Sequence, residues 1–184
     1  MKLEPLKRRQ ALQVSEWRNK ERQFLRTPYF ITDDMQSKFY DNVINNRDSQ
    51  HRYFAITDDT RIFLDEPIHE FIGMGGITNI EWENGNAEIS LIINPEKRGK
   101  GYGMKAVDLI LAEAFDNMGL DMIYGEVYNC GNRGFWEKVV KRYGEEDSNA
   151  ELTERKFWDG KRWGSMWFCI RRSKYDLYNP RPRR

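Results

Sequence analysis

No stretch of this sequence approaches the roughly 18 consecutive apolar residues of a membrane helix, so nothing in it reads as a span. The N-terminal Met1-Lys2-Leu3-Glu4-Pro5 lacks the apolar segment of a cleavable signal. Only two cysteines occur, Cys130 and Cys169, with neither metal spacing nor the density of a disulfide framework. Two histidines, His51 and His69, give no basis for a His-built metal site, and no metal is assigned. An excess of one charge is missing too. Thirty Lys and Arg against 29 Asp and Glu leave a net charge of +1, which provides no bulk field for nucleic acid. Repeats and interdomain linkers are absent. What remains is a cytoplasmic enzyme, with no membrane partner and with nucleic acid not favoured.

Aromatic residues, by contrast, make up 14% of the chain, including six tryptophans. They suit a core and cleft lining, or a surface on which planar groups stack. The length of 184 residues fits one domain over 1–184 with a substantial core, as a monomer or homodimer. The Pro- and Arg-rich end, Asn179 to Arg184, reads as a mobile tail.

Periodicity organises the rest. Lys2 to Leu6 is a short strand, and Arg8 to Lys20 a helix. Glu21 to Ile31 is a loop. Thr32, followed by Asp33 and Asp34, caps a second helix running to Asn46 with Met35, Phe39, Val43 and Ile44 at helical spacing. Arg52 to Thr57 is a strand, Asp58-Asp59-Thr60 a turn, Arg61 to Leu64 a returning strand, and Asp65-Glu66-Pro67 a break. Phe71 to Ile80, with three glycines, forms a hairpin through Asn84-Gly85 with the strand from Ala87 to Ile93. Met104 to Asn117 carries Val107, Ile110, Leu111, Ala114, Phe115 and Met118 on one stripe and stops at Gly119. Met122 to Val127 is a parallel strand, Asn132 to Tyr143 a helix, and Glu151 to Arg171 a hairpin turning at Asp159-Gly160-Lys161. The fold class is α/β: a mixed, twisted sheet with helices on both faces.

The strand at Ala87, the loop after it and the helix from Met104 build an anion site. Glycines admit a close approach, and the first helical turn carries N–H groups without intrahelical partners. A Walker A loop requires Gly-Lys-Ser/Thr, but Gly101 follows Lys100. The dinucleotide spacing is met by Gly101-x-Gly103-x-x-Ala106, with Glu126 about 20 residues on. That motif, however, turns from strand almost directly into its first glycine, and here Asn94 to Lys100 intervene. The third pattern is R-x-x-G-x-G, with Arg98, Gly101 and Gly103 as its letters. With its strand and loop it resembles the acetyl-coenzyme A loop of the GNAT N-acetyltransferases. The likeness is sharpest from Ile89 to Ala106. Trp17-Arg18-Asn19 is similar to the W-R-N of subgroups acting on ribosomal proteins and aminosugars.

This resemblance implies the GNAT fold and transfer of acetyl from acetyl-coenzyme A to a primary amine, by direct attack in a ternary complex. It implies cofactor contacts at Leu91, Ile92 and Ile93, at Arg98, Gly99, Lys100, Gly101, Tyr102, Gly103 and Met104, and at Asn129 or Asn132. Two alternatives stay open: a non-catalytic acyl-coenzyme A binding module and a dinucleotide-dependent oxidoreductase. For the base the sequence offers Glu88, within an apolar strand on the face of Ser90 and Ile92, and Glu126 on the next strand. A carboxylate so placed is costly unless paired or facing water, and suits a base or a water relay. The bland role of each is a salt bridge to an Arg. The family's tyrosine acid falls at Trp136, whose indole N–H donates hydrogen bonds but is no useful acid. Tyr128 and Tyr143 are replacements by type.

By the same resemblance, the early helix–loop–helix covers the acceptor side. Arg22, Arg26, Tyr29 and Phe30 from the loop, and Trp163 from the terminal hairpin, are candidate contacts. Their mixture of basic and aromatic groups favours a planar or anionic acceptor over a bare polyamine: a small molecule, with a nucleotide-linked amine among the candidates, or a peptide.

Overall fold

Seven strands form one mixed sheet in the order β1-β2-β3-β4-β5-β7-β6. The computed structural model describes residues 1–63, 66–145 and 148–179, with 60–68 as backbone alone. The expected break at Asp65 and the tail 180–184 lie outside the described residues. The strands are β1 (Lys2–Pro5), β2 (Arg52–Phe63), β3 (Glu66–Glu81), β4 (Asn86–Ile93), β5 (Met122–Tyr128), β6 (Asn149–Trp158) and β7 (Lys161–Arg171). The helices are α1 (Arg8–Lys20), α2 (Asp33–Phe39), α3 (Tyr102–Ala112), α4 (Arg133–Tyr143) and α5 (Arg172–Tyr178).

Most neighbours are antiparallel. The described parallel pair is β4 with β5, so the sheet is not the doubly wound parallel kind that dinucleotide enzymes use. The α3 stripe forms as its spacing predicts. Val107, Ile110, Leu111, Ala114 and Phe115 are fully buried, against Ile77, Ala87 and Ile89 and against Ile123, Phe168 and Ile170. Each of the larger of these side chains contributes roughly 1.5–3 kcal/mol of burial. On the opposite face Ala11, Val14 and Trp17 of α1 pack with Ala55, Met74 and Ile92. The period-2 alternation of β4 therefore sends Ala87 and Ile89 to the α3 face, and Glu88, Ser90 and Ile92 to the α1 face.

Several local expectations change. Asp58-Asp59-Thr60 is not a turn: β2 runs on to Phe63 and absorbs these residues as a register shift against β3. Pro67 sits inside β3 opposite Ile62 rather than ending a strand. The second helix is α-helical only to Phe39, then widens into a π turn over Tyr40–Ile44; α3 ends the same way over Glu113–Asn117. Helix α5 follows β7 directly and carried no clear pattern in sequence. Thr32 caps α2 as expected, accepting from the Met35 N–H at 3.3 Å.

Candidate active site

Strands β4 and β5 pair only at Asn86–Met122, Ala87–Ile123 and Glu88–Tyr124. Both continue, β4 to Ile93 along β3 and β5 to Tyr128 along β7, so beyond Glu88 they diverge. Alternate backbone groups of Ile89 to Ile93 then point where β5 no longer is. Leu91 and Ile93 send side chains to the α3 side and Ile92 to the α1 side, each into core clusters, so what these residues offer the opening is backbone.

At the α3 side of the opening lies the glycine loop. A short 3₁₀ turn, Pro95–Lys97, is held by the Asn94 side chain accepting from the Glu96 N–H at 3.0 Å. Gly99 and Gly101 take φ of +76° and +81°, the left-handed region that only glycine enters freely. Gly101 is the N-cap of α3. Among the described residues the N–H groups of Gly99, Lys100, Gly101, Tyr102, Gly103 and Met104 donate to nothing, the first helical bond being Lys105 N–H to the Gly101 carbonyl. That is a row of donors at a positive helix end, fit for a phosphate. Gly103 is glycine for another reason. A Cβ there would come within 2.9 Å of the Phe135 ring, so its smallness lets α3 and α4 meet. Arg98 pairs with Glu21 at 2.9 Å, which ties the glycine loop to the end of α1.

The α1 side of the opening holds the two carboxylates. Glu88 and Glu126 keep 11% and 7% of their side chains exposed, too little to stand unpaired. Arg26 lies across both. Its guanidinium donates to each Glu88 oxygen, at 3.1 Å to Oε2 and closer to Oε1, and stands 3.5 Å from Glu126 Oε2. Asn79 adds a bond to Glu88 Oε2 at 2.8 Å. Glu126 Oε1 accepts from Arg155 at 3.0 Å and from Ser165 at 2.6 Å. Burial pushes the Glu126 carboxyl up, but those two hydrogen bonds and the charges of Arg155 and Arg26 prevail and hold it below its ordinary range. Each candidate base thus has the arginine partner that its bland role called for.

The α1–α2 connection roofs this chamber, and its fastenings were not legible in sequence. The Asn19 side chain clasps Ile31 at both N–H and carbonyl, each at 2.8 Å, closing the loop at its base. The Lys156 ammonium is buried beneath the loop, donating to the carbonyls of Arg22 at 2.8 Å, Gln23 at 3.0 Å and Leu25. A register shift in β6 between Leu152 and Lys156 aims it there. Cys130 donates its thiol to the Gln23 carbonyl, and Gly131 abuts Phe24. Trp17 of the W-R-N triplet stacks on Phe71, with ring centres 5.3 Å apart.

The remaining expected contacts divide. Arg22 covers Phe30 at 3.7 Å and reaches the Trp158 ring at 5.6 Å, so loop and hairpin meet. Tyr29 and Phe30 are exposed. Trp163 donates to the Trp158 carbonyl and holds the hairpin turn. Asn129 accepts from Arg133 at 2.8 Å, and Asn132 is the exposed N-cap position of α4 with no side-chain cap bond. Trp136 stacks on Phe168 at 5.1 Å. Tyr143 donates to Asp108 within the core, away from the carboxylates; Tyr128 ends β5 beside Arg26 and Glu126, beneath Lys156. Among the described residues no helix is long and apolar enough to cross a membrane.

A family model described as an acetyltransferase (GNAT) domain matches residues 1–146. No curated protein matches the chain. Similar solved structures include a spermidine N-acetyltransferase from Vibrio cholerae in complex with CoA and spermine. It is 22% identical, aligned over 94% of this chain and 96% of its own, with a TM-score of 0.77. A chimera of the same enzyme is 24% identical over 94% and 96% of the two chains, also at 0.77. A dodecameric form is 23% identical over 97% of each, at 0.74. At these identities the likeness shows the fold.

Proposed function

Because this chain belongs to the GNAT acetyltransferase family, we propose that it transfers acetyl from acetyl-coenzyme A to a primary amine on a small molecule, by direct attack within a ternary complex. The observation that carries this reading is the early end of the β4–β5 ladder. It makes an opening with unpaired N–H donors on one side and a buried acidic pair on the other. The pyrophosphate rests on the N–H groups of Gly99 to Met104, and the thioester arm enters between the strands, where the free backbone of Leu91 to Ile93 faces the carbonyl. The amine arrives from the α1 side.

An alkyl ammonium has a pKa of about 10 and must lose its proton to attack. Glu88, at the last ladder pair, takes that proton directly or through water once Arg26 yields one of its bonds. Glu126, held anionic, steadies the charge. The nitrogen then bonds the carbonyl carbon, the carbon–sulfur bond breaks, and the thiolate needs a proton. Trp136 cannot supply one. Burial and the Glu126 charge, against Arg26, raise the Tyr128 hydroxyl above its ordinary value and keep it protonated, so it is the donor by position.

The acceptor is read from charge. The similar solved structures act on spermidine, a polycation. Here both carboxylates are matched by Arg26 and Arg155, and Arg22 and Lys156 stand nearby, which favours a planar or anionic acceptor. A thiol-release assay with acetyl-coenzyme A over a primary-amine panel tests the proposal, and amine-dependent release is expected. Acetyl-coenzyme A binding with no release on any amine would favour a non-catalytic binding module, the reading to which the stacked Trp136 and the paired carboxylates lend weight.

A further inference from the structure

Arg18 is one of the chamber's cations without an acid partner among the described residues. It projects from α1 beneath the loop, its side chain within hydrogen-bond reach of Thr27 Oγ1 at 3.3 Å, with Tyr29 and Tyr53 as its charge neighbours. Among the described residues no carboxylate pairs with it. Packing draws its guanidinium below the ordinary arginine range although the residue stays part-exposed, so it has given up some water without gaining a counter-ion among the described residues. Its setting contrasts with that of Arg26 and Arg155, each on a glutamate. Arg22 and Lys156 also lack a carboxylate partner among the described residues, being spent on ring faces and loop carbonyls.

A second unmet group lies on α2. Gln36 is 1% exposed, and among the described residues neither its amide nitrogen nor its amide oxygen has a hydrogen-bond partner. Phe39, three residues on and so on the same side of α2, sets its ring edge on Tyr53, with ring centres 5.3 Å apart. Tyr53 lies over Gly76, where a Cβ would come within 2.7 Å of the ring, and it feels the charges of both Arg18 and Glu88. Arg18, Tyr53 and Glu88 therefore follow one another across the α1 face.

We propose that Arg18 is an anion subsite for the acceptor, so that the acetylated molecule carries a carboxylate or phosphate at one end and its reactive amine at the other. Resting on the acetyl-transfer reading, this deepens it by naming the acceptor's chemistry. The span follows from the sheet. Tyr53 on β2 stands across Gly76 from Ser90 on β4, two strand spacings away, and Glu88 lies two residues away along β4, which makes roughly 12 Å. A guanidinium binds carboxylate or phosphate through paired N–H groups, and a desolvated one does so most strongly. An acceptor with cations at both ends would set one of them against Arg18.

Six-carbon probes of equal length test this. 6-Aminohexanoate and 6-aminohexyl phosphate carry the anion, 6-aminohexanol is neutral, and 1,6-diaminohexane is a dication. We expect kcat/KM for at least one anionic probe to exceed that for the neutral one tenfold or more. Arg18→Gln should erase that preference through KM, leaving turnover of 6-aminohexanol and the affinity for acetyl-coenzyme A within about twofold, and Arg18→Lys should restore part of it. Preference for the phosphate or for the carboxylate probe identifies the anion. Calorimetry of the same probes against the coenzyme A complex reads the preference without turnover. A chain that acetylates nothing yet binds the anionic probes through Arg18 overturns acetyl transfer and keeps the subsite. Best binding of 1,6-diaminohexane, equal binding of all probes, or an anionic preference that survives Arg18→Gln overturns the subsite itself.

Discussion

Arg26 and Glu88, 62 positions apart in the chain, meet through both carboxylate oxygens at the point where β4 and β5 separate. The same guanidinium stands 3.5 Å from Glu126, so one loop side chain bridges both acids of the chamber, with Arg155 the second cation on Glu126. Opening the site to a cationic amine and loosening Arg26 are therefore one event. That coupling shapes the predictions.

Glu88→Gln keeps the shape and hydrogen-bonding reach of the side chain and removes its basicity. The rate of acetyl transfer should fall roughly 10²–10⁴-fold with acetyl-coenzyme A affinity nearly unchanged. An unaltered rate near neutral pH would pass the role to Glu126 or to an ordered water.

Arg26→Met leaves two nearly buried carboxylates facing each other. The depressed Glu126 carboxyl contributes stability above its unfolded value, and that contribution fades as pH falls through its folded value. Arg26 is 54% exposed, so screening limits its share to about 1 kcal/mol. Urea unfolding should show the variant weaker by that amount near pH 7, with the gap narrowing below about pH 4. A gap that widens in acid would contradict this assignment.

Gly101→Val acts through the backbone, because the space around the site of the new Cβ is open while φ is +81°. A branched residue there costs roughly 1–2 kcal/mol or re-folds the cap, turning the N–H row away from the phosphates. Calorimetry should find acetyl-coenzyme A bound at least tenfold more weakly. Binding equal to that of the parent would remove this loop from the cofactor site.

Lys156→Met deprives three loop carbonyls of their donor while keeping the apolar stem. The loop over the chamber should exchange its amide hydrogens faster, and the acceptor KM should rise several-fold with acetyl-coenzyme A binding unchanged. Unchanged protection across 22–26 would show that Cys130 and Asn19 suffice.

Tyr128→Phe removes the hydroxyl that lies beside Arg26 and Glu126 at the end of β5. If it protonates the leaving thiolate, turnover should drop about 10²-fold, most at high pH, where the thiolate is hardest to protonate otherwise. A flat effect across pH would leave that proton to solvent.

The sequence by itself determined what short-range pattern can encode. The α3 stripe at helical spacing, the Asn84-Gly85 hairpin, the Thr32 cap, the loop glycines and the alternation that turns Glu88 away from α3 are all local properties of the chain. The strand–loop–helix from Ala87 was enough to suggest the family, and the aromatic and basic residues of loop and hairpin were named as candidates for the acceptor side. Only the tertiary structure decided who pairs with whom. Arg26 could have faced solvent until the sheet order set β4 beside β5. Lys156 was one more strand lysine until a register shift in β6 turned it under a loop more than 130 residues away. Trp136 was a departure from a motif until it stacked on Phe168. Arg18 was the middle letter of a triplet until the fold set it against Thr27 with no acid beside it among the described residues. A charge advertises itself in sequence, but its partner is fixed by which distant strands become neighbours, and no periodicity records that.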